Sequence, residues 1–237
     1  MVLLAKPDRR SSVAPAVPDL PHDDGSRWAE PYRRLYVSLD LPDKADLPVI
    51  GITSAIRGEG RTTVAIGLAR TLAQDLDVPV TLIEVDLSRP ALAAHSGLPC
   101  GPGLAEVARG ERALTEVIRP VADNLAVVTA GDAGPDPARL LHDIALHDLF
   151  HTAPALDGVV ILDLPPIITH SYSPLVAALA DAVVLVVWSG GTPITVVREA
   201  ILRLGDRPPQ GVVFNAPRSS LPRWWPGRRA DLMVGAL

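Results

Sequence analysis

Ala55-Ile56-Arg57-Gly58-Glu59-Gly60-Arg61-Thr62-Thr63 is the stretch that decides the fold of this 237-residue chain. It follows the apolar run Pro48-Val49-Ile50-Gly51-Ile52-Thr53 and opens the helical pattern Val64 to Ala73. Strand, glycine-rich turn and helix, in that order, make a cradle for a polyphosphate. Glycines let backbone N–H groups crowd around the anion, and the helix N-terminus adds the positive end of its dipole. Thr62 falls where a P-loop places the hydroxyl that holds Mg²⁺. The residue before it, normally lysine in such a loop, is Arg61. Gly58, Glu59, Gly60, Arg61, Thr62 and Thr63 are therefore the candidate phosphate-binding residues.

Outward from this loop, β-rich runs alternate with helical stretches. The strands are expected at 49–54, 79–85, 124–129, 158–163, 182–188 and 210–215. Most read as near-continuous Val, Ile and Leu, the pattern of parallel strands buried on both faces. Helices are expected at 30–39, 62–75, 103–109, 137–151, 173–180 and 193–204, the last with Thr192 as N-cap and Pro193 at its first position. Alternating β and α implies an α/β, doubly wound, mostly parallel sheet with ligands at the carboxyl ends of its strands.

Three acids stand at such strand ends. Glu84 and Asp86, two apart after Leu82-Ile83, share a face, and Asp163 ends the apolar run Val159 to Leu162. The Asp163 run is a Walker B pattern, in which a carboxylate orients Mg²⁺, usually through its waters. The competing role for each acid is to cap a nearby helix.

The net charge of −5 argues against non-specific nucleic-acid binding, so no nucleic-acid partner is expected. The single cysteine, Cys100, forbids an internal disulfide and suits a reducing cytoplasm. The longest apolar stretch, Leu175 to Trp188, is interrupted by Asp181 and is too short to span a bilayer. The chain divides into a disordered or loosely docked tail (1–27), a helix and linker (28–47), a nucleotide-binding domain (48–216) and a C-terminal tail (217–237). That last tail sets Arg218, Arg223, Arg228 and Arg229 around Trp224 and Trp225. It reads either as a contact for an anionic membrane surface or as a strap docked on the domain.

Taken together, these motifs resemble the cytoplasmic bacterial tyrosine kinases of capsule and exopolysaccharide assembly (the CpsD/CapB type), relatives of the ParA/MinD group of P-loop ATPases. Glu30-Pro31-Tyr32-Arg33-Arg34-Leu35 is similar to the family's N-terminal helix motif. Gly58 to Thr63 is similar to its Walker A, Ile83 to Pro90 to its second acidic motif, and Asp163-Leu164-Pro165-Pro166 to its Walker B. Gly103 to Gly110, Ala130-Gly131 and Pro137 to Leu141 resemble the segments between those motifs, and Gly211-Val212-Val213-Phe214-Asn215 the strand whose Asn contacts adenine. The resemblance implies ATP and Mg²⁺ as cofactors, with Thr62, Asp86 and Asp163 toward the metal. It implies Arg61, Glu84, Asp86 and Asp163 as the catalytic set and Asn215 toward the base. It also implies a membrane polysaccharide co-polymerase or chain-length regulator as partner. Homo-oligomerisation stays open, and so does a peripheral position at the inner face of the membrane.

The departures from the pattern bear on chemistry. Arg61 replaces the Walker A lysine, Glu84 the usual aspartate, and Tyr36 a basic residue at the end of the helix motif. Tyr32, Tyr36 and Tyr172 are the only tyrosines, so the family's C-terminal tyrosine cluster has no counterpart after Asn215. Arg keeps the charge of Lys but spreads it over a longer planar fork. The pattern thus implies nucleotide binding with weak or lost phosphoryl transfer. The alternatives are a non-catalytic partner of an active paralogue, or a ParA/MinD-like positioning ATPase, against which Ile56 at the signature-lysine position argues. His147 and His151 have zinc-helix spacing without a third ligand and read as an ordinary helix end.

Overall fold

The computed structural model describes residues 26–39, 48–76, 78–147, 149–153, 155–215 and 233–236. Eight strands form one sheet: β1 (Val49–Ser54), β2 (Val80–Glu84), β3 (Arg119–Ala122), β4 (Leu125–Val128), β5 (Val159–Asp163), β6 (Ala182–Trp188), β7 (Gly211–Asn215) and β8 (Met233–Ala236). Their spatial order is β3-β4-β2-β5-β1-β6-β7-β8. Pairings from β4 through β7 are parallel, and the two edges are antiparallel. The α/β, doubly wound, mostly parallel fold read from the sequence is the fold observed.

Every residue of β1, β2 and β5 is buried, as the unbroken apolar runs require of strands covered on both faces. Alternate residues feed two cores. Ile50, Ile52, Leu82, Ile161, Val184 and Val186 pack beneath α1 (Ser26–Ser38) and α2 (Arg61–Asp75). Val49, Ile83, Val160, Leu162, Val183 and Leu185 face the other layer. That layer holds α4 (Leu104–Ala108), α5 (Leu114–Val117), α6 (Pro137–Leu146), α7 (Leu149–Thr152), α8 (Ser173–Ala177) and α9 (Ile194–Leu204); α3 (Leu92–Ser96) follows the loop after β2. α1 docks on α2 by laying Tyr32 over Gly67 and pairing Arg33 with Asp75 at 2.5 and 2.8 Å. Burial raises the Tyr32 hydroxyl pKa to about 12.

Four details differ from the sequence reading. β3 and β8 were not expected: both are four-residue edge strands, one containing Pro120 and one Gly235, residues that weaken a strand signal. The expected 137–151 helix ends at Leu146, with His147 as its C-cap and the short α7 beyond. Thr192 does not cap α9, because its hydroxyl is drawn to Glu59, and Pro193 takes the N-cap position instead. The helix at 30–39 begins earlier, at Ser26. Residues 1–25 and the arginine-tryptophan stretch of the C-terminal tail lie outside the described residues.

Candidate nucleotide site

β1 lies between β5 and β6, so the loop 55–60 leaves the sheet where the strand order turns from one side to the other. Ligands of open α/β sheets sit at such a switch point. Here Gly60 is the N-cap of α2, with φ 90°, and has no side chain to offer the first-turn amides. Those donors of a fifteen-residue helix therefore point out at the cradle. The Walker B segment runs beside the loop and is sewn to it. Leu164 N–H donates to Ile52 O at 2.9 Å, Ile167 N–H to Ser54 O at 2.9 Å and Ile168 N–H to Ala55 O at 3.1 Å.

The sequence-predicted residues take distinct places around this cradle. Thr62 Oγ1 donates to Asp163 Oδ2 at 2.6 Å, so the Walker A hydroxyl and the Walker B carboxylate meet. Asp163 is 2% exposed, and its Oδ1 is buried without a hydrogen-bond partner. Burial raises its carboxyl pKa to about 7, opposed by Arg61 and by the Thr62 hydroxyl. A buried carboxylate oxygen with no donor is relieved by a cation, directly or through that cation's water. Among the described residues no cluster of three or more His, Cys, Asp or Glu side chains forms a metal cage. Mg²⁺ needs none where a hydroxyl, one or two carboxylates, waters and phosphate oxygens complete its shell. Thr62 and Asp163 fit that requirement. Thr63 is exposed in the first turn, and Gly58, with φ 84°, forms the outer bend of the loop.

Arg61 is turned along the sheet edge. Its Nη1 donates to Leu164 O and its Nη2 pairs with Asp86 Oδ2 at 3.0 Å. Asp86 is also approached by Arg57 at 4.0 Å and accepts the Arg89 N–H at 3.2 Å. Arg61 thus occupies Asp86 Oδ2, and the Arg89 N–H occupies Oδ1. Arg57 Nη2 lies 2.5 Å from His170 Nε2. Burial, aided by Arg57, Arg61 and Arg89, lowers the His170 pKa against the pull of Asp86. The neutral ring thus accepts from Arg57. Neither Arg57 nor His170 was singled out from the sequence. Arg57 carries a signal in retrospect, a cation inside the loop itself, whereas His170 carries none.

Two of the expected site residues are occupied elsewhere. Glu84 was placed in the catalytic set, but its carboxylate caps the chain around it. Oε1 accepts the N–H of Ala91 at 2.5 Å and of Leu92 at 2.6 Å, and Oε2 accepts that of Ala130 at 3.1 Å. Burial raises its pKa, and the three amides counter that shift. The extra methylene of Glu is what lets one carboxylate reach both the start of α3 and the end of β4. Glu59 was placed among the phosphate-binding residues, but it is 1% exposed and fully engaged. It accepts from Ile56 N–H at 2.8 Å, Trp188 N–H at 3.1 Å and the Thr192 hydroxyl. It ties the cradle to the end of β6. Asn215 donates through Nδ2 to Glu59 O at 2.8 Å, against Gly60. His147 and His151 take separate partners, Asp143 O at 2.7 Å and Asp181 at 3.5 Å.

A switch-point cradle, a helix N-terminus and a paired threonine and buried aspartate define a P-loop protein of the doubly wound α/β fold. The comparisons place it more closely. The chain is 31% identical over 166 residues to the tyrosine-protein kinase YwqD of Bacillus subtilis, covering 69% of this chain and 70% of that one. The putative tyrosine-protein kinase EpsB of Ralstonia nicotianae matches at 27% over 220 residues, 92% of this chain but 28% of that longer protein. Among solved structures, the kinase domain of the Escherichia coli tyrosine kinase ETK superposes with a TM-score of 0.71 at 23% identity, over 84% of this chain and 79% of that one. The septum site-determining protein MinD of Pyrococcus horikoshii, complexed with Mg-ADP, superposes with a TM-score of 0.56 at 18% identity, over 73% and 71%. No protein-family profile matches the chain. The chain belongs to the bacterial tyrosine-protein kinase family.

Proposed function

We propose that this protein binds ATP as its Mg²⁺ complex and couples that binding to capsule or exopolysaccharide assembly through a membrane polysaccharide co-polymerase, with slow or absent phosphoryl transfer. The observation that carries the reading is the Thr62–Asp163 hydrogen bond of 2.6 Å at the N-terminus of α2, beside the unpartnered Asp163 Oδ1. First-turn amides of α2 and the backbone of residues 58–60 would bind phosphates. Thr62 and Asp163 would hold the metal, which when bound neutralises charge on the phosphate oxygens. Asn215, beside Gly60 at the end of β7, would meet the base. Arg61 keeps a cation in the site but holds it against Leu164 O and Asp86, away from the geometry that transfer requires.

Acceptors for phosphate are few. Of the three tyrosines, Tyr32 is buried, Tyr36 is half-buried and Tyr172 is 37% exposed. No described helix is long and apolar enough to cross a membrane. Membrane association would come through the partner. A second route is the sequence around Trp224 and Trp225, whose arginines suit an anionic surface.

The metal half of this reading has a direct test. Thr62→Ala and Asp163→Asn are expected to weaken Mg-ADP binding by about tenfold or more, and to change ADP binding in EDTA little. Titration calorimetry in both buffers decides it. Equal losses with and without Mg²⁺ would remove these two residues from the metal site.

A further inference from the structure

We propose that Trp188 is the platform on which the base of the bound nucleotide stacks, which makes this residue the determinant of nucleoside over inorganic polyphosphate. The inference rests on the nucleotide reading above and extends it to a residue that motif reading does not single out. Trp188 ends β6 and is 42% exposed. Its indole lies over Gly191, where a Cβ would come within 2.5 Å of Cδ2 and 2.7 Å of Cε3. Only glycine admits the ring in that position. The main chain beneath the ring is pinned on both sides. Trp188 N–H donates to Glu59 at 3.1 Å, and its carbonyl accepts from Gly191 at 3.0 Å and Thr192 at 3.1 Å.

Across the sheet Trp188 is the register partner of Asn215, and the next residue, Ser189, donates to Asn215 O at 2.9 Å. Paired residues on adjacent strands point to the same face. Val184 and Val186, at even steps along β6 from Trp188, pack beneath α1 and α2, so that face is the one carrying the cradle helix. Trp188 and Asn215 therefore lead from neighbouring strand ends on one face, with backbones about 4.8 Å apart, and the Asn215 amide lies against Gly60. A purine offers a flat π face and a hydrogen-bonding edge. The indole suits the face and the amide the edge. Inorganic polyphosphate has neither and gains nothing from this pair.

The test uses the full chain with Mg²⁺, titrated with ADP and with inorganic tripolyphosphate. Trp188→Ala is expected to weaken ADP by about tenfold, to leave tripolyphosphate within about twofold, and to be rescued for ADP by Trp188→Phe. Indole fluorescence gives a second readout. ADP should quench the wild-type emission more than that of Trp188→Phe, in which Trp28, Trp224 and Trp225 remain. Unchanged ADP affinity in Trp188→Ala, or equal loss of both ligands, would overturn the stacking role and leave nucleotide binding intact. A wild-type chain that binds tripolyphosphate and ADP equally well would do the same. A wild-type chain that binds neither would overturn both.

Discussion

Gly60→Ala is expected to reduce Mg-ADP affinity by about a hundredfold or more while the domain stays folded. Two physical effects add at this position. The residue sits at φ 90°, where an L side chain is strained. Its new Cβ would also run into the Asn215 amide, pushing it off Glu59 O. The strain would rotate the first-turn amides of α2 out of the cradle, and the collision would displace the residue assigned to the base. Calorimetry reports the affinity and a thermal melt reports the fold. Affinity within about threefold of wild type in a folded variant would mean that the loop is not the phosphate site.

Arg61→Lys is expected to raise ATP turnover by about tenfold or more, a gain of roughly 1.4 kcal/mol in the transition state. Lysine cannot span Leu164 O and Asp86 as the guanidinium fork does, so its ammonium is freed toward the phosphates. Adding Glu84→Asp is expected to bring no further rate and to lower stability by about 1–2 kcal/mol. The shorter carboxylate cannot accept from Ala91, Leu92 and Ala130 together. Phosphate release by the wild type, by Arg61→Lys and by the double variant separates these effects. Identical rates for the first two would show that Arg61 is not what limits transfer. A faster double variant would return Glu84 to the catalytic set.

The sheet was legible where its strands are buried on both faces. Val159 to Leu162 and Ala182 to Val187 are continuous apolar runs because no residue in them meets water. β3 and β8 were not legible, since four residues at an edge need no such pattern and their pairing comes from neighbours. A hairpin signal for β3 did exist in Asp123-Asn124, where Asn124 takes the left-handed φ of 56°. The break between α6 and α7 left no proline or glycine between His147 and Leu149, so the helical period ran on through it.

In the site, Thr62 and Asp163 meet because both lie on elements whose ends the fold brings to one edge. The roles of Glu59 and Glu84 were hidden for a different reason. Apart from the Thr192 hydroxyl on Glu59, their donors are backbone N–H groups, which leave no mark on the sequence. For Glu84 one of those partners, Ala130, is 46 residues away, and for Glu59 another, Trp188, is 129 away. The position of Arg61 was equally hidden, since one of its two acceptors is the main-chain carbonyl of Leu164.

The most direct measurement of the central claim is titration calorimetry of the purified full chain with ADP and a non-hydrolysable ATP analogue, with and without Mg²⁺. The arrangement of Gly60, Thr62 and Asp163 predicts one site per chain, with micromolar affinity on the order of 8 kcal/mol of binding free energy in Mg²⁺, weakened by EDTA. No binding heat with either nucleotide at millimolar concentration would contradict it.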